Sequence, residues 1–356
     1  MTDSPVLHQF ESLPQGLLAA PAQELWRILP GPSLIHLPGR RAEPLLVAVL
    51  QHGQEITGLL AIQALLAKYH QAPLPRALSL FVGNIQAARR GVRRLDDQVD
   101  YNRVWPGTES ADCAETRLCA DVVAAMERRR VFASIDVHNN SGTNPHYACV
   151  NRLEPRFLQL AALFGRLVIH FSYPRGTQSA ALARLCPAVT LECGKPEQAY
   201  GVEHALRYLD ACLHLAEIPG HPVAAGDIDL FASVAQVTIR PQVRFGFRSE
   251  DVDLQLWDDI DHLNFTEIAA GTTLGLMRTD WPGLPVVARN AAGHDVTAAY
   301  FRRSGELLLT NRTVMPSMLT PDERIIRQDC LCYLMERQAA GSPAKGWPEP
   351  ADPRPV

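Results

Sequence analysis

The sequence predicts an α/β domain followed by a second, smaller β-rich domain, and three observations carry that prediction. Between residues 45 and 215, short apolar runs ending at Gly, Asn or Pro alternate with stretches of helical spacing, the pattern of strands joined by helices. After Glu217 the punctuation IPGHPVAAGD marks a boundary, and short strands separated by Gly, Asn and Pro turns follow it. At 356 residues the chain is also long for one compact core. The expected divisions are a lead-in over 1–39, the α/β domain over 40–218, the β-rich domain over 219–338 and a disordered, proline-rich tail over 339–356.

The lead-in holds one short helix opened by Pro21, a residue suited to the first helical position because its missing donor would be unpaired there anyway. The organising stretch is Leu45 to Gly58, LLVAVLQHGQEITG. Its apolar start stops at His52-Gly53-Gln54-Glu55, and ITGLLAIQALLAKY then shows helical periodicity, so it reads as strand, tight turn and helix. The turn sets an imidazole and a carboxylate side by side at the C-terminal end of a strand, where open α/β sheets place ligand sites. Neutral nitrogen with carboxylate oxygen suits zinc. In a chain with 12 His and 38 acidic residues such a pair also arises by chance, so the site requires a third ligand.

Leu78–Val82 is the next strand. Ile85 to Gly107 is charged and weakly periodic, and reads as a long functional loop that brings one or two arginines to a site. Ala114–Arg130 is an amphipathic helix with a basic end that complements its dipole. Val131–Val137 is a strand running into His138, and strand alternation puts Asp136 on the same face, within reach of the imidazole. A helix near Pro155–Phe164, a strand at LVIHFSY, a strand Ala188–Leu191 delivering Glu192, and a long helix over about 197–215 complete the domain. Three strand ends thus supply His52 with Glu55, then His138, then Glu192. In the β-rich domain, four short-strand stretches precede a last helix expected over Pro321–Gln338.

Composition narrows the class further. With 47% hydrophobic residues, 20% charged residues and a net charge of -4, no nucleic-acid or anionic-membrane partner is expected. The start of the chain has neither a basic segment nor an apolar run, and no stretch approaches membrane-spanning length, so the expectation is a soluble, cytoplasmic protein. Eight cysteines without a CxxC pair read as reduced and mostly buried.

Taken together and in order, HGQEITG, DYNRVWPG, IDVHNN and LECGKPE resemble the aspartoacylase and succinylglutamate desuccinylase family of the zinc carboxypeptidase superfamily. The resemblance covers most of residues 45–215. It implies a zinc-carboxypeptidase-like mixed sheet flanked by helices, and one zinc ion held by His52, Glu55 and His138 with a fourth position left for water. It further implies Glu192 as general base, Asn102 and Arg103 as the grip on a substrate carboxylate, and Arg93 as the group polarising the scissile carbonyl. The spacing to Asn102 differs from the family's by two residues, so Arg94 remains an alternative to Arg93. Gln178 stands where aspartoacylase has a substrate-binding arginine, which argues against N-acetylaspartate, although Arg175 is close in sequence. The family's C-terminal tyrosine has no counterpart in LLLTNRTVMPSM.

The expected activity is hydrolysis of the amide of a small N-acylated amino acid, with removal of a C-terminal peptide residue as the alternative. A binding module without catalysis would lack a ligand or the base, and all four are present. Nucleic-acid binding through RRGVRR is opposed by the net charge. The sequence leaves a homo-oligomer open.

Overall fold

The computed structural model describes residues 5–338 apart from 141, 143, 172, 225, 249 and 250. The proline-rich tail therefore lies outside the described residues. The described residues divide into two compact units, the first drawn from those within 1–140, 145–170 and 174–229 and the second from those within 141–144, 171–173 and 230–356.

The first unit contains β1 (His8–Phe10), β2 (Ser33–Leu37), β3 (Leu45–Val49), α1 (Thr57–Lys68), β4 (Leu78–Val82), α2 (Ile85–Arg90), α3 (Ala114–Arg128) and β5 (Ala133–His138). There follow β6 (Tyr147–Val150), α4 (Pro155–Ala162), β7 (Leu167–His170), α5 (Gln178–Leu182), β8 (Ala188–Glu192) and α6 (Ala199–His214). Its strands order as β1-β2-β4-β3-β5-β8-β6-β7. The central run β4, β3, β5 and β8 is parallel, while β2 on β4 and β6 on β8 are antiparallel, so the sheet is mixed as expected. Every residue of β3, β4 and β5 is buried. That burial on both faces is why LLVAV and LSLFV read as continuous apolar runs rather than alternating ones.

The lead-in belongs to this unit. Ser33–Leu37 pairs along its whole length with β4, and the turn opened by Pro21 is a 3-10 helix over Ala22–Arg27. The charged stretch after β4 begins with a helix rather than a loop. Asn84 starts α2 by accepting from Ala87 N at 3.0 Å, and Gly91, at φ 63°, ends it in the left-handed conformation that glycine adopts without strain. The chain then runs irregularly to a 3-10 turn at Tyr101–Arg103.

Two close approaches fix the organising turn. A Cβ on Gly58 would lie 2.9 Å from side-chain carbons of Val49 and Val137, and one on Gly53 would lie 2.2 Å from the Ala87 carbonyl carbon. Glycine thus lets α1 settle on the sheet and lets the turn between His52 and Glu55 settle against α2.

The second unit contains β9 (Asp229–Ile239), β10 (Phe245–Gly246), β11 (Leu254–Leu256), β12 (Thr273–Met277), β13 (Val286–Arg289), α7 (Thr297–Tyr300), β14 (Phe301–Ser304), β15 (Leu307–Thr310), β16 (Met315–Ser317), α8 (Glu323–Gln328) and β17 (Cys332–Arg337). One sheet runs β10-β11-β12-β15-β14. Separately, β9 pairs with β13 and β17, and β17 with β16, all antiparallel. Its core gathers Val237, Leu254, Leu256, Val286, Leu308 and Leu334.

The helix expected over Pro321–Gln338 is corrected. Asp322 does cap α8, accepting from Ile325 N at 3.1 Å, but the helix stops at Gln328. Cys332–Met335 is buried on both faces and pairs with β9 and β16, so its ladder bonds and two-sided burial override the helix-forming character of Leu-Met-Glu-Arg. None of the eight cysteines, all among the described residues, is in a disulfide.

Candidate metal centre

β3, β5 and β8 are parallel neighbours, so their C-terminal ends lie side by side. Beyond the end of β3, Leu50 takes φ 54°, a conformation that costs a non-glycine residue energy, and the chain turns into Gln51 and His52. β5 ends on His138, and β8 brings Glu192 into direct register with it.

His52, Glu55 and His138 are buried, and their donor atoms lie within 4.8 Å of one another. His52 Nδ1 is 2.8 Å from Glu55 Oε1, and His138 Nδ1 is 2.7 Å from Glu55 Oε2. The other ring nitrogens also face carboxylates. His52 Nε2 is 3.0 Å from Asp100 Oδ1, and His138 Nε2 is 2.9 Å from Asp136 Oδ2. A neutral imidazole has one N–H, so if it donates to the outer aspartate, the inner nitrogen presents a lone pair to Glu55. Lone pair against carboxylate is repulsive unless a cation lies between them. The donor set therefore fits a divalent metal ion, with His52, Glu55 and His138 as its ligands and Asp100 and Asp136 orienting the two rings.

The carboxylates draw positive charge into the cluster, a proton on His138 when no metal is bound and a cation in its place when one is. Burial works to raise the Glu55 carboxyl, but the His52 and His138 imidazoles outweigh it and hold the group well below the usual carboxylate range. Burial likewise opposes ionisation of Asp100, yet Arg93, His52 and Arg103 keep its carboxyl well below normal. For His138 burial lowers the value, and the stronger attractions of Asp136 and Glu55 push it well above an ordinary histidine. Glu192 differs from its neighbours. Burial, supported by the negative charges of Glu55 and Asp136, raises its carboxyl to about 8 against the attractions of His138 and Arg93. A carboxylate poised near neutrality is suited to accepting and returning a proton.

Arg93 is buried beside the cluster. Its Nη2 is 2.9 Å and its Nε 3.2 Å from Asp100 Oδ2, and its Nη1 is 3.9 Å from Glu55 Oε1. Arg94 instead donates to the carbonyl of Gln98 at 2.8 Å. Of the two candidates, Arg93 is the one whose charge faces the cluster.

Residues 44–214 match the family model described as succinylglutamate desuccinylase/aspartoacylase catalytic domain. The chain carries a catalytic domain of the succinylglutamate desuccinylase/aspartoacylase family. Among solved structures, the succinylglutamate desuccinylase of Chromobacterium violaceum is similar at 17% identity, over 85% of this chain and 87% of that one, with a TM-score of 0.57. A succinylglutamate desuccinylase/aspartoacylase from Rhodobacter sphaeroides is similar at 17% identity, over 85% and 88%, with a TM-score of 0.55. A murine aminoacylase 3 variant is similar at 13% identity, over 84% and 95%, with a TM-score of 0.50. At these identities the likenesses show the fold. No curated protein matches the chain by sequence.

Within this desuccinylase/aspartoacylase domain, two residues expected at the substrate sit elsewhere in the network. Gln178 is fully buried at the start of α5. Its backbone N donates to Asn102 Oδ1 at 2.9 Å and its Nε2 to Ser134 Oγ at 2.7 Å. It braces the loop beneath the site and presents no surface to a ligand. Asn102 is likewise engaged, its Nδ2 lying 3.3 Å from Asp136 Oδ2 and 3.1 Å from His138 Nε2. Arg103 is partly exposed and donates to Asn102 O at 2.8 Å. Arg175 is exposed and pairs with Glu109 at 3.5 Å.

Sequence reasoning missed two partners and found a third. Asp100 is one of the two missed, although it lies two residues before Asn102-Arg103 in the motif DYNR. Asn140, which donates to Glu192 Oε2, was not separated from the rest of VHNN. Asp136 was read correctly from strand alternation. Its second oxygen accepts from Gln51 Nε2 at 2.6 Å, and Gln51 in turn accepts from the buried Trp105 Nε1 at 2.7 Å.

Proposed function

We propose that this chain is a zinc-dependent hydrolase that splits the amide bond of a small N-acylated amino acid or related molecule, releasing a carboxylate and an amine. The observation that carries the reading is the convergence of His52, Glu55 and His138 with Glu192 in register on the adjoining strand, inside the family-matched segment. When bound, zinc supplies Lewis acidity that activates water and polarises the acyl carbonyl.

The chain's own residues do the rest. Glu192 accepts the proton of the attacking water and later gives it to the departing nitrogen, so the amine leaves neutral rather than as an anion. Asn140 holds the Glu192 carboxylate in place through its amide. Arg93, fixed by Asp100, meets the negative charge that develops on the carbonyl oxygen. Arg103 takes the substrate's free carboxylate through its planar fork of donors. Asn102 supports that grip indirectly, by setting the carbonyl to which Arg103 is tied.

A C-terminal peptidase would use the same groups, but the family model matched is that of desuccinylases and aspartoacylases, which favours deacylation. The test is release of free amine from acetyl, succinyl and formyl derivatives of acidic, neutral and aromatic amino acids, with dipeptides alongside. Turnover that is lost on chelation and restored by zinc supports the reading. Activity confined to dipeptides would replace deacylase with peptidase, and activity indifferent to chelation would remove the metal.

A further inference from the structure

A second feature lies at the other ends of the same strands. Where β3, β4 and β5 begin, a pocket of about 580 Å³ is lined by Arg41, Glu43, Arg76, Glu127, Arg130 and Phe132, among others. His52, His138 and Glu192 stand at the opposite, C-terminal ends of these parallel strands and of β8.

Among the described residues, none of Arg41, Arg76 and Arg130 forms an ion pair with a carboxylate. Arg76 is 2% exposed, and its guanidinium is held rigidly. Nη1 donates to Glu43 O and Nη2 to Leu215 O, each at 2.9 Å, while the guanidinium carbon sits 3.5 Å from the Phe132 ring centroid. Carbonyls and an aromatic face orient the charge without neutralising it, and Nε is buried with no partner. A buried guanidinium with no carboxylate at ion-pair distance is costly, and a second arginine nearby adds to that cost. Burial and then the charge of Arg41 lower the Arg76 pKa, against a smaller attraction from Glu43.

Capping of the last carbonyls of α6 accounts for part of this arrangement, since Arg41 reaches His214 O at 3.5 Å and Arg76 reaches Leu215 O. It does not account for Arg130, whose side chain makes no hydrogen bond or ion pair among the described residues. Nor does it account for the open volume between them. Glu43 and Glu127 are exposed, and three guanidinium groups against two carboxylates leave the pocket positive.

We propose that this pocket binds a small anion carrying at least two negative charges, a phosphate group or a di- or tricarboxylate, away from the candidate metal centre. The planar donors of arginine suit either head group, and the volume is that of a small-molecule site.

The test is calorimetric titration of the full chain with inorganic phosphate and, separately, with citrate, at constant ionic strength. Saturable binding with a Kd of about 1 mM or tighter is expected for one of the probes, and the preferred probe identifies the head group. The doubly substituted Arg41→Gln, Arg130→Gln chain should bind at least tenfold more weakly, Glu127→Gln should bind more tightly, and Arg103→Gln should leave binding unchanged. Circular dichroism verifies folding of each variant. If the double variant fails to fold, the Glu127→Gln result decides alone, since tighter binding supports the site and unchanged or weaker binding refutes it. No saturation by either probe up to about 10 mM, binding indifferent to the arginine substitutions, or binding abolished by Arg103→Gln would overturn the proposal.

Discussion

Asp100 joins two functions through one carboxylate: its Oδ1 is 3.0 Å from His52 Nε2, and its Oδ2 receives Arg93 Nη2 at 2.9 Å. The ring that would bind the metal and the cation that would meet the oxyanion are thereby positioned by the same side chain.

The Asp100→Asn variant should therefore lose both. Outer partners of metal-binding histidines are typically worth about 10–100-fold in metal affinity or activity. We expect metal affinity, measured by chelator competition, to fall within that range, and kcat to remain depressed even at saturating zinc because Arg93 has lost its anchor. Full recovery of kcat with excess zinc would confine Asp100 to the histidine.

Arg93 and Arg94 should separate cleanly. Removing a group that stabilises developing negative charge costs about 10²–10³ in kcat, so Arg93→Gln should show a loss of that order with little change in KM. Arg94→Gln, whose guanidinium serves a loop carbonyl, should stay within about threefold of the wild type, as surface substitutions usually do. Equal losses in the two variants would contradict the assignment.

His36 gives a prediction about pH and stability. It is 4% exposed on β2, with Nδ1 2.9 Å from Ser79 Oγ and Nε2 buried without a partner among the described residues. Burial, and after it the charge of Arg129, lowers its pKa from 6.5 to about 4. Between those values the unfolded chain takes up a proton that the folded chain refuses, so stability falls as pH drops through this window and is fully present above it. The contribution is up to about 3 kcal/mol. Denaturant melts of His36→Gln between pH 7 and about pH 4 should show a shallower decline than the wild type, and parallel declines would exclude His36 as the cause.

The parts of the site that were legible in the sequence are those set by local geometry. A strand breaking at HGQE fixes where His52 and Glu55 stand, and two-residue alternation fixes Asp136 beside His138. What was not legible depends on how distant segments return. Asp100 reaches His52 only because the irregular chain after α2 folds back over the end of β3, and nothing periodic announces that path. Gln178 is near the site in sequence, yet α5 buries it against Ser134 on β5. Cys332–Arg337 has helix-forming side chains, and only its place between β9 and β16 makes it a strand. Local signals of that strength lose to two-sided burial.

The central claim, a metal held by His52, Glu55 and His138 with Glu192 moving the proton, is tested most directly by one paired measurement on the wild type and Glu192→Gln. Metal content and amine release are determined on the same samples. The account predicts near-stoichiometric zinc in both proteins and turnover lower in Glu192→Gln by about 10²–10⁴. Retained turnover in the variant, or a wild type that binds no metal, would contradict it.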